Sequence, residues 1–341
     1  MRILVTASQA PFIHGGGERH VQNLCAALRQ AAHEVELLRL PFKFSPESDI
    51  TRLMAFCDGY DLAAPNGQRI DRVISLQFPG WGMTHPQHVA WLMHQHRAAY
   101  ELFDAATATP AQVRLREEIV AYDNRALGKV TRRFANSRRV AERLKQYNGL
   151  DATPLYHPPP GAAQLRCGED WGYVFYPSRL ESLKRQDLLV EAARLMTSDV
   201  KILIGGEGGQ HDRYRALIER HNLGDRVRLI GRFSEGERIA LYEHALAVVF
   251  PPFDEDLGYI TLEAMYAGKP VVTCSDSGGP LEFVVPGETG EIVAPQPAAL
   301  AASIDRLASN PQRARDMGQA GRERVSALGL SWQRVVDTLC S

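Results

Sequence analysis

Two short apolar segments of the same kind begin the two halves of the chain. The first, RILVTA at residues 2–7, precedes a helical pattern at 18–31. The second, YVFYP at 173–177, leads through a basic turn into another helical pattern. An apolar run followed by a turn and an amphipathic helix is typical of a strand in a parallel sheet. The sequence therefore predicts an α/β fold, and its 341 residues suffice for two hydrophobic cores.

Composition excludes several classes of function. The net charge of −1 gives no overall attraction to nucleic acid, and the five cysteines form no C-x-x-C pair that would hold zinc. Scattered cysteines are typical of a reducing compartment. The N-terminal residues run straight into the first strand, and no apolar run approaches the length of a membrane span. We therefore expect a cytoplasmic protein that binds no nucleic acid.

Residues 250–283 carry two carboxylates, Glu255 and Glu263, on a predicted strand end, turn and helix. Gly258 should begin this helix and Gly268 should end it, so its N-terminal N–H groups should point into the loop and attract anions. Glu263 can then reach ribose hydroxyls while Glu255 faces a group beyond the phosphates. That division of roles suits a nucleotide-sugar.

Two cations, Arg179 and Lys184, lie five positions apart across the basic turn that opens the second half. Arginine offers a planar fork and lysine a compact point charge, so both can converge on one diphosphate. The alternative is a pair of surface charges in a loop.

The order of these motifs resembles a known family. Glu255 and Glu263 form E-x7-E, and EAM, AGKPVV, SGGPLE and GETGEIV accompany them, while Arg179 and Lys184 form R-L-x-x-x-K. This string is similar to the donor half of retaining GT-B glycosyltransferases of the GT4 type, the group 1 glycosyl transferases. The resemblance implies two Rossmann-like domains that face each other across a cleft. An acceptor-side domain would span 1–160 and a nucleotide-sugar-binding domain 161–330, and a last helix in 331–341 would cross back to the first domain.

The resemblance also implies the site residues. The residues expected to bind the donor are Gly16, Gly17, Arg179, Lys184, Gly231, Phe233, Glu255, Gly258, Tyr259, Ile260 and Glu263. Those expected to take part in catalysis are His94, Glu255, Arg179 and Lys184. Phe233 suits a base pocket and the hydrophobic core equally well. No metal and no cofactor are expected, because the two cations can neutralise the diphosphate.

The first half contributes a glycine-rich turn and a histidine. In the turn HGGGE, at 14–18, backbone N–H groups can approach a ligand closely, and the family places Gly16 and Gly17 at the donor phosphates and the acceptor. A predicted strand at 89–93 delivers His94 and His96 to the carboxyl edge of the sheet. The family places one histidine, best matched by His94, beside the transferred sugar. Both histidines could instead be hydrogen-bonded structural groups.

Asp254, Glu255 and Asp256 also spell the D-x-D motif with which single-domain transferases hold Mg²⁺ or Mn²⁺. We discount a metal site here because the chain has two halves and supplies its own cations.

The stretch 110–149 holds ten Lys or Arg against four Asp or Glu. With Arg97, which could equally pair with Glu101, it could attract an anionic acceptor or the inner surface of an anionic membrane. A solvated helix face explains the same charges.

We therefore predict a metal-independent retaining glycosyltransferase of glycan biosynthesis. The donor would be a UDP-sugar, or a GDP-sugar, and the acceptor a saccharide or a lipid-linked saccharide. The alternatives are a sugar-nucleotide 2-epimerase of the same fold and a non-catalytic protein that binds sugar-nucleotides.

Overall fold

The structure is a computed structural model that describes residues 1–12 and 15–341. The chain divides into two compact units, unit 1 (Met1–His157 with Ser331–Ser341) and unit 2 (Pro158–Leu330). The boundary therefore lies before the prolines at 158–160 and not after them as expected. Arg238 donates a hydrogen bond to the carbonyl of Pro160 at 3.2 Å, which ties this linker to unit 2.

Unit 1 alternates strands and helices from its N-terminus. Its elements up to the linker are β1 Arg2–Gln9, α1 Gly16–Gln30, β2 Glu34–Pro41, α2 Glu47–Cys57, β3 Arg72–Ser75, β4 His88–Leu92, α3 Pro110–Lys129, β5 Arg132–Ala135, α4 Arg138–Asn148 and β6 Thr153–Pro154. Within the described residues the strands form a six-stranded parallel sheet in the order β2-β1-β3-β4-β5-β6. Short 3₁₀ helices occur at Pro65–Gly67, Gly80–Gly82 and Arg97–Ala99.

Unit 2 repeats the alternation. Its elements are β7 Tyr173–Pro177, α5 Gln186–Ala193, β8 Lys201–Gly205, α6 His211–Arg220, β9 Val227–Gly231, α7 Glu235–Glu243, β10 Ala247–Val249, α8 Tyr259–Tyr266, β11 Val271–Cys274, β12 Gly290–Val293, α9 Pro297–Ser309 and α10 Pro311–Ala327. A second parallel sheet has the order β12-β11-β10-β7-β8-β9. Its 3₁₀ helices are Ala162–Gln164, Ser182–Lys184 and Gly279–Glu282. The last helix of the chain, α11 Trp332–Cys340, belongs to unit 1.

Each sheet is covered by helices on both faces. In unit 1, α1 and α11 pack on one face through side chains at helical spacing, such as Val21, Leu24 and Leu28. On the other face, α2, α3 and α4 bury Ile50, Ile119 and other apolar side chains. In unit 2, α5, α6, α9 and α10 cover one face, and α7 and α8 cover the other. Two buried faces explain why the strands are nearly continuous apolar runs. These are two doubly wound α/β domains, as the sequence predicts.

The core of unit 1 contains buried histidines. His20 lies between Trp91 and His157, with ring centroids 4.3 and 4.2 Å away. Burial lowers the pKa of His20 to about 3 and that of His88 to about 4, and it places the pKa of His157 well below its usual value. In contrast, burial raises the pKa of the Asp123 carboxyl to about 7, although Tyr100 and Trp81 donate hydrogen bonds to it.

These shifts predict how stability depends on pH. Below about pH 6.5 the unfolded chain protonates its histidines while the folded chain leaves them neutral, so the free energy of unfolding falls as the pH falls. Asp123 acts in the opposite direction between about pH 4 and 7, because the folded chain retains a proton that the unfolded chain loses. Since the histidines outnumber Asp123, we expect net destabilisation between pH 6 and 4.5.

Two variants isolate these contributions. His20→Gln should make the plot of unfolding free energy against pH shallower by up to about 1.4 kcal/mol per pH unit. Asp123→Asn should make it steeper, since it removes the opposing group and keeps an acceptor for Trp81. Urea unfolding at several pH values measures both slopes. Slopes equal to that of the unmodified protein in both variants would contradict this account.

Candidate functional site

The order of the strands determines where unit 2 can bind a ligand. From β7 the chain proceeds to β8 and β9 on one side of the sheet and then returns to β10 on the other side of β7. Open α/β sheets bind ligands at the carboxyl ends of the strands, at the point where the strand order reverses. The loops that follow β7 and β10 meet at this switch point. They carry Arg179 and Lys184 in one loop and Glu255 in the other.

Lys184 and Glu255 form an ion pair between these two loops. The Lys184 Nζ donates to the Glu255 Oε2, and each side chain is 18% exposed. The ammonium group also lies 5.7 Å from the centre of the Phe250 ring. An ammonium carries three donors, so Lys184 can keep Glu255 as a partner and still bind a second anion. The pair is thus a partly exposed site in which a cation is held in place by a carboxylate.

Arg185 fixes the two loops relative to each other. Its backbone is left-handed, with φ 55°, and its guanidinium donates to the carbonyls of Pro251 at 2.7 Å and Pro252 at 2.6 Å. The same guanidinium forms a two-bond fork with Asp276, with both bonds at 2.8 Å. Arg185 therefore joins the loops that follow β7, β10 and β11. The sequence analysis did not identify this residue.

Removing this fork should loosen the site. We expect Arg185→Ala to lower turnover about tenfold and to destabilise the protein by about 1–3 kcal/mol, because it removes charged hydrogen bonds from Asp276 and leaves two carbonyls without a donor. Arg194→Ala is the matched control, since Arg194 makes a surface ion pair with Glu191. Enzyme kinetics and urea unfolding measure the two effects. Equal turnover and equal unfolding free energy of the two variants would exclude Arg185 as a positioning residue.

Backbone contacts hold the Glu255 segment against residues 276–279. The Glu255 N–H donates to the carbonyl of Ser277 at 2.9 Å, and its carbonyl accepts from the Gly279 N–H at 2.8 Å. A Cβ at Gly278, where φ is +70°, would lie 2.5 Å from the Glu255 carbonyl oxygen. Only glycine allows this approach without a backbone shift, which gives a structural reason for the SGG motif.

Glu263 lies inside α8 and is buried. One carboxylate oxygen accepts from Arg238 at 2.9 Å and the other from the Tyr242 hydroxyl at 2.6 Å. The Arg238 side chain is 4% exposed and also pairs with Glu235. The helix begins, as predicted, after Gly258, whose φ is +80°. Tyr259 and Ile260 lie in its first turn.

The remaining predicted donor residues of unit 2 include Arg179, Gly231 and Phe233. The Arg179 side chain is 50% exposed and lies 3.9 Å from Glu181, so Arg179 and Lys184 have different carboxylate partners. Gly231 ends β9 with a φ of +66°. Phe233 is partly buried and packs edge-on against Phe175 at 5.9 Å. Phe233 therefore contributes to the core, which was one of its two expected roles.

In unit 1, the predicted residues lie at the start of α1 and after β4. Gly16 and Gly17 are the first residues of α1. The His94 Nδ1 lies 2.6 Å from the Gln95 carbonyl, which can only accept, so Nδ1 is the donor in this contact. His96 is packed against Phe42 and Phe78, and burial lowers its pKa to about 4.

Several arginines of the first half are bound within unit 1. Arg97 donates to Glu101, the second of its two expected roles, and the buried Arg143 lies 3.3 Å from the same carboxylate. Arg132 and Arg133 donate to backbone carbonyls, including those of Leu339 and Asp151. These interactions reduce the number of cations that the stretch 110–149 presents to solvent.

Neither a metal cluster nor a membrane span is found in the part of the chain that the structure describes. Over residues 1–12 and 15–341 there is no group of three or more His, Cys, Asp or Glu side chains placed to hold a metal ion. Within the same ranges, no helix combines the length and the apolar character needed to cross a bilayer.

Comparison with known sequences finds matches mainly in the second half of the chain. Residues 163–324 match the family model described as Glycosyl transferases group 1. The glycogen synthase of Mycobacterium tuberculosis (strain CDC 1551 / Oshkosh) is 33% identical over 192 residues, which are 55% of this chain and 45% of that protein. The human alpha-1,3/1,6-mannosyltransferase ALG2 is 30% identical over 164 residues, which are 43% of this chain and 39% of that protein. The chain thus spans about half the length of the curated relatives it matches.

Solved structures of similar fold cover the whole chain. Sucrose-phosphate synthase from Thermosynechococcus elongatus aligns over 99% of this chain and 97% of its own, with a TM-score of 0.77 and 21% identity. Anabaena Alr3699/HepE in complex with UDP-glucose aligns over 100% and 98%, with a TM-score of 0.76 and 18% identity. The chain therefore has the two-domain GT-B fold, and its residues 163–324 match the group 1 glycosyl transferases.

Proposed function

We propose that this protein transfers a sugar, with retention of configuration, from a nucleotide-sugar to a saccharide or lipid-linked saccharide acceptor. The observation that carries the proposal is the Lys184–Glu255 pair at the switch point of unit 2, whose Glu255 lies in the loop that precedes α8, the helix that contains the buried Glu263. This arrangement offers a cation for phosphates, a carboxylate for sugar hydroxyls and a second carboxylate for ribose. An enzyme that acts on a nucleotide-sugar needs each of these.

Each group has a distinct role in the proposed complex. The diphosphate binds Lys184 and Arg179 and approaches the N-terminus of α8, because a helix N-terminus attracts anions. Glu263 accepts hydrogen bonds from the ribose, held in place by Arg238 and Tyr242. Glu255 accepts from hydroxyls of the transferred sugar. Gly231 and Phe233 are assigned to the base, and Gly16, Gly17 and His94 keep the roles that the family resemblance implies.

In the proposed reaction the bond between the anomeric carbon and the diphosphate oxygen breaks. A bond forms from the acceptor oxygen to the same face of that carbon, and the acceptor proton passes to the leaving diphosphate. Negative charge develops on that diphosphate, where Lys184 and Arg179 stabilise it electrostatically. The products are the glycosylated acceptor and a nucleoside diphosphate.

Because these cations neutralise the diphosphate, we propose a reaction that needs no metal. Activity should then survive a chelator. Loss of activity that Mg²⁺ or Mn²⁺ restores would favour the D-x-D interpretation of Asp254 and Asp256 instead. A UDP-sugar is the favoured donor, since the structurally similar HepE is described in complex with UDP-glucose.

Product analysis tests the function against its alternatives. The protein is incubated with a panel of UDP- and GDP-sugars, with and without saccharide acceptors, and the products are separated by chromatography. A transferase releases nucleoside diphosphate and a glycosylated acceptor. A new sugar-nucleotide formed without any acceptor would identify an epimerase. Binding without turnover of any donor would identify a non-catalytic protein.

A lipid-linked acceptor would bring the protein to an anionic membrane surface. Each Lys or Arg near such a surface contributes about 1 kcal/mol, and this attraction is sensitive to salt. Arg132 and Arg133 contribute little, since both are bound within unit 1. We therefore propose weak peripheral contact at most. Co-sedimentation with anionic vesicles at low salt tests it, and equal recovery with neutral vesicles would exclude it.

A further inference from the structure

Unit 1 contains a cavity of about 250 Å³ at the carboxyl end of its sheet. The start of α2, the segment 96–108 after β4 and the first half of α3 surround it. Both helices follow strands of the sheet, so the cavity lies where α/β sheets bind their ligands. His96 lines it, two positions after His94. Its volume is slightly below the range of about 300–1,000 Å³ typical of ligand pockets, which suits one sugar ring and not an oligosaccharide.

Arg116 supplies a cation to the lining of this cavity. Its guanidinium lies over the ring of Phe103, 4.9 Å from the ring centre. Its Nε atom is buried and has no hydrogen-bond partner among the residues that the structure describes. A buried donor without an acceptor is unfavourable, so the site is better satisfied when an anion is bound. A guanidinium is suited to an anion of this kind, since it can donate two parallel hydrogen bonds to a carboxylate or phosphate.

The other residues that line the cavity could contact the ring and hydroxyls of a sugar, which a simple ion lacks. Phe44, whose side chain is 65% exposed, and Phe103 provide apolar surfaces, and Glu47 provides an acceptor for hydroxyls. Both carboxylate oxygens of Asp104 already accept hydrogen bonds, one from the Ala106 N–H and one from the Thr107 hydroxyl. A carboxylate and an arginine beside aromatic rings suit a sugar that carries one oxyanion.

We propose that this cavity binds the acceptor through an anionic sugar, with its phosphate or carboxylate on Arg116 and its ring between Phe44 and Phe103. This inference rests on the proposed glycosyl transfer and assigns the class of acceptor. Arg116 determines acceptor specificity and has no role in donor binding.

The experiment is isothermal titration at fixed ionic strength with glucose 6-phosphate, glucuronate, glucose, inorganic phosphate and UDP. It compares the unmodified protein with Arg116→Gln and with the control Arg114→Gln, which removes an exposed arginine of the same helix that does not line the cavity. Arg116→Lys retains the charge and loses the planar fork. Circular dichroism and thermal unfolding verify that each variant is folded.

We expect at least one anionic sugar to bind at least tenfold more tightly than glucose and inorganic phosphate. Arg116→Gln should remove this advantage, Arg116→Lys should reduce it, and Arg114→Gln should preserve it. The inference would be overturned if neither anionic sugar bound, or if glucose or phosphate bound as tightly as the anionic sugars. It would also be overturned if replacing Arg116 left the affinity for the anionic sugars unchanged. UDP should bind all four proteins equally. Absence of UDP binding would instead count against the proposed function, whatever the sugars do.

Discussion

Replacing Lys184 with alanine is expected to lower turnover about 100-fold or more. This is the size of effect seen when one electrostatic donor to a developing charge is lost. The structure adds a second reason, because Lys184 is also the partner of Glu255. Without the ammonium, the partly buried carboxylate faces the diphosphate of the donor and repels it. Both substrate binding and the chemical step should therefore suffer.

The controls separate charge from position. Lys201→Ala removes an exposed lysine at the start of β8, the opposite end of the sheet, and should leave turnover unchanged. Lys184→Arg keeps a positive charge in a larger side chain and should retain part of the activity. Steady-state kinetics with the donor found by product analysis measures all three. Turnover of Lys184→Ala within a factor of two of the unmodified protein would exclude Lys184 from the mechanism.

Replacing Glu263 with alanine should cost both stability and donor binding. Arg238 would be left buried with Glu235 and the Pro160 carbonyl as partners, and the Tyr242 hydroxyl would lose its acceptor. Breaking a buried ion pair from one side typically costs about 3–5 kcal/mol. We expect a value near 3 kcal/mol, because Glu235 still compensates part of the charge. Urea unfolding measures this change, and a change below about 1 kcal/mol would contradict the pairing.

A double replacement distinguishes the two roles of Glu263. In Arg238→Met with Glu263→Met, an apolar pair of similar volume replaces the ion pair, which is often neutral or stabilising. The double variant should therefore be more stable than Glu263→Ala and still fail to bind the nucleotide, since ribose has lost its acceptor. Glu288→Gln, at an exposed position of the same unit, is the control for both measurements. Normal nucleotide binding in the stable double variant would remove Glu263 from the donor site.

Local sequence signals predicted the elements that carry the site. Gly258 and Gly268 delimit α8 because both have positive φ, which glycine adopts at little cost, and the helix between them is continuous. Ser137 begins α4 because its hydroxyl accepts from the Val140 N–H. In these cases the deciding interaction lies within a few residues, so a single sequence contains it.

The partners of the site residues could not be predicted in this way. An acid in the apolar helix YITLEAMY required a buried partner, but nothing near it in sequence indicated Arg238 or Tyr242, which α7 supplies through tertiary packing. Arg185 looked like one more charge of a basic turn, and its partner Asp276 follows a different strand. Composition also does not reveal that Arg132 and Arg133 donate to backbone carbonyls.

The most direct test of the account is thermal unfolding with a panel of UDP-, GDP- and ADP-sugars. A ligand that binds only the folded state raises the apparent unfolding temperature. We predict that the nucleotide-sugars of a single base raise this temperature in the unmodified protein and in Lys201→Ala. We expect these to be the UDP-sugars. The same sugars should cause a much smaller rise in Lys184→Ala and in the double variant at Arg238 and Glu263. No rise with any nucleotide-sugar, or an equal rise in all four proteins, would contradict the assignment of this site to the donor.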